Sequence, residues 1–218
     1  MTSDDRIRRI QRWIGAPETG DLNDPGTIDE LENDVVGLRS YLDANYPTPI
    51  TPITPITPAP SYTAHHHHTP NRGGSLDAEG IVWHHSNGSL SSNIGWITRD
   101  SQAAGRPCSY HIIIDTNGDR HHFVPLNRQA WHAGKSSHRG RYGCNRFMLG
   151  IAFTGDTNTR DLTAAELSSA VDLVRSISQG RRWTIDDMTD HRTVSPGRRD
   201  DLHPAQWQRL KWALKSAF

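Results

Sequence analysis

The stretch His191-Arg192-Thr193-Val194-Ser195-Pro196-Gly197-Arg198-Arg199-Asp200-Asp201 gathers an imidazole, a tight turn, guanidinium groups and two carboxylates. The Ser-Pro-Gly turn folds the chain back, so a carboxylate at Asp201 can approach the His191 ring. Such a loop supplies two ligands and one fixed cation to a metal-centred site. A further nitrogen ligand must come from elsewhere, and His84, in Ile81-Val82-Trp83-His84-His85-Ser86, is the best candidate. Catalytic zinc takes three protein groups and leaves a fourth position for water. The pKa of that water falls to about 7, and the metal polarises a carbonyl. His84, His191 and Asp201 form a two-histidine, one-carboxylate set of this kind. Spacing alone does not single them out, because the chain holds 13 histidines. An ordinary strand-end histidine is the other reading of His84.

These residues need elements to position them. Ile81-Val82-Trp83 is a short apolar strand that ends at the two histidines. A helix is predicted over Asn93–Ala104, closed by Gly105. Tyr110–Asp115 reads as a strand, and Asn117-Gly118 as a hairpin into His121–Val124. Met148–Phe153 is nearly all apolar and reads as a central strand buried on both faces. Thr163 and Glu166 form a capping box that starts a helix with Leu167, Ala170, Val171 and Val174 on one side. A final helix begins at Pro204 and turns Trp207, Leu210 and Leu214 inward. Residues 76–218 thus read as one α/β domain, a mixed central sheet flanked by helices.

The first 46 residues have another texture. Ile7, Ile10 and Ile14 fall on one helical face, and Leu31, Val35, Leu38 and Leu42 on a second, across the turn Gly20–Thr27. Two short helices bury little, so this small helical unit is marginal alone. Residues 47–75 read as a linker. Its Thr-Pro-Ile repeat favours polyproline II, a semi-rigid spacer of roughly 40 Å at about 3.1 Å per residue. The linker ends in the run His65-His66-His67-His68, which can bind metal adventitiously or be an artificial addition.

Net charge is zero over 218 residues, but it is unevenly spread. Residues 1–46 hold five Arg against ten Asp and Glu, and the remainder nineteen Lys and Arg against fourteen. The larger part is mildly basic, which suits an acidic polymer without demanding nucleic acid. No apolar run is long enough to span a membrane, and no signal peptide is apparent. Two cysteines, Cys108 and Cys144, are too few for a disulfide scaffold and can be paired or reduced. Neither a Gly-x-Ser-x-Gly motif nor a phosphate loop occurs, so nucleophilic serine and nucleotide chemistry find no support.

Five landmarks occur in order. They are Val82-Trp83-His84-His85-Ser86; Ser109-Tyr110-His111-Ile112-Ile113-Ile114-Asp115 with its Asn-Gly-Asp hairpin; Ala130-Trp131-His132-Ala133-Gly134; Leu149-Gly150-Ile151-Ala152-Phe153-Thr154-Gly155; and His191 through Asp201. With them, residues 81–204 resemble the type 2 N-acetylmuramoyl-L-alanine amidases. That family includes phage amidase lysozymes and animal peptidoglycan-recognition proteins. The resemblance implies zinc held by His84, His191 and Asp201. His85 and Asp200 are the rivals, and strand alternation disfavours His85. It implies a role for Tyr110 beside the metal, donating to a developing oxyanion or orienting the nucleophile. Arg199 stands where many members carry lysine. It keeps the charge but cannot give up a proton. Ala152 stands where some relatives use a glutamate. Trp131 and His132 are expected to line the substrate cleft, with packing as the alternative.

The first two helices resemble the peptidoglycan-binding modules found beside cell-wall hydrolases. Together the likenesses imply a zinc amidase that cleaves the N-acetylmuramoyl-L-alanine bond of peptidoglycan. They imply a monomer with neither nucleic acid nor stable membrane insertion among its partners. The architecture is similar to a phage endolysin, made in the host cytoplasm and reaching the wall after the membrane is permeabilised. The alternatives are a non-catalytic peptidoglycan-recognition module and a different wall hydrolase.

Overall fold

The structure is a computed structural model that describes residues 62–101 and 103–218. The two N-terminal helices and the Thr-Pro-Ile repeat lie outside the described residues. In chain order the elements are β1 (Ala64–His66), β2 (Arg72–Ser75), β3 (Ile81–His85), α1 (Leu90–Thr98), β4 (Ile112–Ile114), β5 (Arg120–His122), β6 (Arg128–Ala130), β7 (Ser137–His138), β8 (Arg141–Tyr142), β9 (Leu149–Phe153), α2 (Ala164–Ile177), β10 (Met188–Asp190), α3 (His191–Val194) and α4 (Pro204–Leu214).

Six strands form the main sheet in the order β1-β5-β4-β9-β3-β10. Only β4 and β5 run antiparallel; the other neighbours are parallel. The sheet is therefore mixed, and helices flank it. The apolar run of β9 lies between β4 and β3 with all five residues buried, as a strand covered on both faces requires. Side chains alternate along β3. Trp83 packs with Ile112, Ile114, Ile151 and Phe153 against Leu173 and Val174 of α2 and Leu210 and Leu214 of α4. Val82 and His84 face the other way. That alternation sets the candidate site on the face opposite the long helices.

Local chemistry explains several elements. Asn117-Gly118 turns β4 into β5, with Gly118 at a positive φ and its N–H donating to Asp115 O. Thr163 and Glu166 form the capping box of α2. Glu166 is fully buried there, paired through both oxygens with Arg160 at 2.6 and 2.8 Å. Pro204 opens α4 behind its cap His203. Leu210 and Leu214 are buried, and Trp207 packs partly buried against the same core.

Two expectations need correction. The first helix runs Leu90–Thr98, not Asn93–Ala104. It starts earlier because the Ser89 hydroxyl accepts from Ser92 N–H. It ends at Thr98 because side chains distant in sequence take its last carbonyls. Thr69 Oγ1 and Asn71 Nδ2 donate to Ile97 O at 2.5 and 2.8 Å, and Asn71 Nδ2 also donates to Arg99 O. Gly105, the expected stop, lies in the loop beyond. The second concerns residues 64–75, read above as linker. Residues 64–66 are the edge strand β1 of the main sheet, and residues 72–75 are β2, paired antiparallel with β6. Both cysteines are free, Cys144 buried and Cys108 exposed.

Candidate active site

Three side chains from distant segments meet on the open face of the sheet. His84 comes from β3, His191 opens α3 directly after β10, and Asp201 lies in the loop before α4. All three are buried, at 0%, 3% and 5% exposure. His84 Nδ1 lies 3.0 Å from His191 Nδ1 and 3.0 Å from Asp201 Oδ2. His191 Nδ1 lies 3.1 Å from the same carboxylate oxygen. Asp200 does not join them. It is exposed, and its carboxylate accepts from Asn158. His85, one residue along β3, points to the other face, where its Nδ1 accepts from Thr157 N–H.

The ring partners fix which nitrogens carry protons. A carbonyl oxygen only accepts, so His191 Nε2–H donates to Ala133 O at 3.2 Å. His132 Nε2–H likewise donates to Met148 O at 3.2 Å. The neutral His132 ring therefore offers its Nδ1 lone pair, and His84 Nε2–H donates to it at 3.0 Å. In neutral rings both Nδ1 atoms of His84 and His191 thus carry lone pairs, directed at each other and at a carboxylate. Burial drives His84 down to about 4, against the bond to Asp201, so the ring is neutral at pH 7. Burial alone raises the Asp201 carboxyl, but the His191 and His84 rings outweigh it and hold it well below the usual range.

With both rings neutral, three buried electron pairs converge with no proton between them, an arrangement that a cation would satisfy. The donor set fits zinc. Zn–N and Zn–O bonds of about 2.0–2.1 Å at tetrahedral angles put ligand atoms roughly 3.3 Å apart, close to the sides of this triangle. His84, His191 and Asp201 are the one group of three or more such side chains among the described residues with mutually close ligand atoms.

His132, expected to line the cleft, lies behind His84 instead. It is 6% exposed, and both its ring nitrogens are bonded within the protein. Its backbone N–H and that of Ala133 donate to Asn145 Oδ1. The ring fits only because Gly150 faces it on β9: a Cβ there would stand 2.2 Å from His132 Cγ. Gly150→Ala is expected to cost about 3 kcal/mol through overpacking and to displace His132. Urea unfolding in the presence of chelator checks the first part, and unchanged stability would contradict this packing.

Tyr110 sits beside the triad, its ring 5.1 Å from that of His84. Burial raises its hydroxyl well above the ordinary value, aided by Cys108 and Asp201, so it stays a donor. Arg199 is exposed, and its charge acts on both Tyr110 and Cys108. Trp131 is half-buried, its ring over Gly73 of β2.

A groove of about 450 Å³ runs between residues 134–137, Tyr142 and Gly143 on one side and Val194, Ser195, Pro196 and Arg198, which follow His191 along the chain, on the other. Ser195 Oγ donates to Lys135 O, and Arg198 Nη2 donates to Ala133 O and Lys135 O. The Ser-Pro-Gly-Arg turn therefore holds the segment that bonds His191. The sequence reading missed this groove and the roles of Lys135 and Arg198; the only signal was the doubled arginine after the turn.

His111 lies deeper, donating to Arg128 O and accepting from Gly150 N–H. Burial lowers it to about 4 from an ordinary 6.5. Between those values the unfolded chain binds more protons than the folded one, so stability falls as pH falls. Chelated protein is expected to lose stability from about pH 6.5 to about pH 4, by up to about 1.4 kcal/mol per unit for each such histidine. Denaturant titrations across that window test the sign; a flat profile would contradict it.

A mixed α/β domain with a buried two-histidine, one-carboxylate triad at its strand ends defines the class. Residues 74–206 match the family model described as N-acetylmuramoyl-L-alanine amidase (Amidase_2), more than half of the chain, and the chain belongs to that family. It is 35% identical over 104 residues to the 1,6-anhydro-N-acetylmuramyl-L-alanine amidase AmpD of Salmonella typhimurium, covering 47% of this chain and 55% of that protein. The Escherichia coli K12 protein of the same name is 34% identical over 104 residues, covering 47% and 56%. The chain thus spans about half the length of these relatives. The crystal structure of a selenomethionine AmpD derivative superposes with a TM-score of 0.61 at 25% identity, covering 70% of this chain and 94% of that one. The amidase LysC from Clostridium intestinale shares the fold, with a TM-score of 0.55 at 21% identity, covering 70% and 97%.

Proposed function

We propose that this protein hydrolyses the amide between the lactyl group of N-acetylmuramic acid and L-alanine in peptidoglycan, with zinc held by His84, His191 and Asp201. The observation that carries this reading is the convergence of three buried lone pairs, fixed by the partners of each ring. Membership of the amidase family supports the choice of bond.

When bound, zinc supplies a Lewis acid for the amide carbonyl and lowers the pKa of a water molecule to about 7. The chain's own residues do the rest. His132 and Ala133 O hold the two imidazoles in the tautomers that present Nδ1. The Tyr110 hydroxyl, kept protonated, donates a hydrogen bond to the carbonyl oxygen as negative charge develops there. Arg199 adds a positive charge on the same side but no transferable proton. The groove between Lys135 and Arg198 receives the stretch of substrate next to the scissile bond.

Tyr110→Phe is expected to retain zinc and lower turnover by about a hundredfold, the scale of one lost oxyanion donor. Zinc content and turnover on purified peptidoglycan check it; full activity would remove Tyr110 from the chemistry. The reaction itself is tested by digesting purified peptidoglycan with and without a chelator. New alanine amino termini without new reducing sugars indicate this amidase. New reducing ends indicate a glycosidase, and no products from zinc-loaded protein indicate a recognition module.

The setting follows from the chain's organisation. Residues 1–46 act as a wall-binding module, and the Thr-Pro-Ile repeat spaces them from the catalytic domain. Tethering raises the domain's local concentration on an insoluble polymer. No helix among the described residues is long and apolar enough to cross a membrane. The reading is a monomeric phage endolysin that meets peptidoglycan after the membrane is permeabilised. Lysis of permeabilised cells that does not diminish when residues 1–46 are removed would contradict the role of that module.

A further inference from the structure

The run His65–His68 is not a loose tail. His65 and His66 lie in β1 and pair in register with His121 and His122 of β5. The pairing continues one residue further, as His67 N–H donates to His122 O at 2.8 Å. Strand alternation sorts the rings by face. His65, His67 and His121 share one face, and His66 and His122 the other. On the first face the rings stack on one another and on Phe123. His65 stacks on His121 at 4.6 Å, and His67 stacks on Phe123 at 4.8 Å. His65 Nε2 stands 3.6 Å from Asp119 Oδ2. His67 and His121 also stack, at 5.3 Å, and their Nε2 and Nδ1 atoms stand 3.1 Å apart, a hydrogen bond whose proton a metal ion would replace.

We propose that His67 and His121 form a second metal site, a two-imidazole clasp for a borderline divalent transition ion such as zinc, which pins the edge strand β1 to β5. Two ligands of one tetrahedral zinc stand roughly 3.3 Å apart, so the pair needs little movement to share an ion. Metal binding needs the neutral ring. Burial, then neighbouring histidines, lower both His67 and His121 from the ordinary value, the direction that favours a free lone pair. His67 lines an open groove of about 590 Å³ together with His66, His68 and His122, so the clasp is reached from the His67 side; His121 is buried behind it. Two imidazoles select zinc, nickel or copper over calcium and magnesium. None of these residues belongs to the candidate active site, so the inference goes beyond the proposed function and stands apart from it.

Equilibrium dialysis of the full chain against Zn²⁺ alone, with metal counted by atomic absorption, tests it. Wild type is expected to hold two ions per chain. His67→Gln with His121→Gln should hold one, as should Asp201→Ala, and the three changes together none. The single change His67→Gln, at a half-buried position just past the strand, should already weaken the second site at least about tenfold. Circular dichroism establishes that it folds. Excess Mg²⁺ should not displace the ion. An unchanged count in the His67→Gln/His121→Gln variant overturns the proposal. So does a second ion that disappears only when His66 or His68 is replaced, because the run would then bind as a surface chelate. A wild-type count of one that vanishes with Asp201→Ala would end this proposal and leave the active-site reading standing.

Discussion

Asp201→Ala is expected to lose zinc and activity together, with turnover down at least about a thousandfold. The carboxylate lies 3.0 and 3.1 Å from the two Nδ1 atoms, and among the described residues no other acidic side chain joins that group. Asp200 faces away toward Asn158 and cannot substitute without rebuilding the loop. A stability measurement separates loss of metal from loss of fold. In a His67→Gln/His121→Gln background, chelator should lower the melting temperature when Asp201 is present and leave it unchanged when Asp201→Ala is added. Retained turnover, or a triple variant still stabilised by zinc, would remove Asp201 from the site.

His132→Phe should weaken zinc binding about 10- to 100-fold, the usual effect of removing a group that orients a metal ligand. Phenylalanine fills the space beside Gly150 but offers no acceptor to His84 Nε2–H. His84 then pays with an unpaired buried N–H or adopts the tautomer that protonates Nδ1, the atom that faces the triad. His132→Gln retains an acceptor and should recover part of the affinity. Competition with a chromogenic chelator reads both variants. Equal affinity for wild type and His132→Phe would show that the ring only packs.

What the sequence disclosed, and what it hid, follows the range of the forces involved. The β4–β5 hairpin was legible because Asn117-Gly118 carries its own turn conformation. The cap of α2 was legible because Thr163 and Glu166 satisfy each other, and β9 because five apolar residues in a row suit a strand covered on both faces. The end of α1 was hidden, because the groups that terminate it, Thr69 and Asn71, lie 28 and 26 residues before Ile97. Strand β1 was hidden for a related reason. Four consecutive histidines show no apolar alternation, and only the facing histidines of β5 give them a partner. The triad residues were nameable by type and motif. The orientation of His132 was not, because it depends on the absence of a side chain at Gly150, across the sheet.

The triad also joins segments that are far apart along the chain. His84 is 107 residues from His191 and 117 from Asp201, whereas His191 and Asp201 are 10 apart. A nascent or clipped polypeptide that ends before the last turn can therefore offer an ion only one of its three donors. On the proposed reading, uptake of the ion is a checkpoint on completed folding, and stripping it removes the tie between the segments that carry His84 and His191. A protease that nicks the region ahead of α4 should for that reason abolish the proposed activity long before it degrades the sheet.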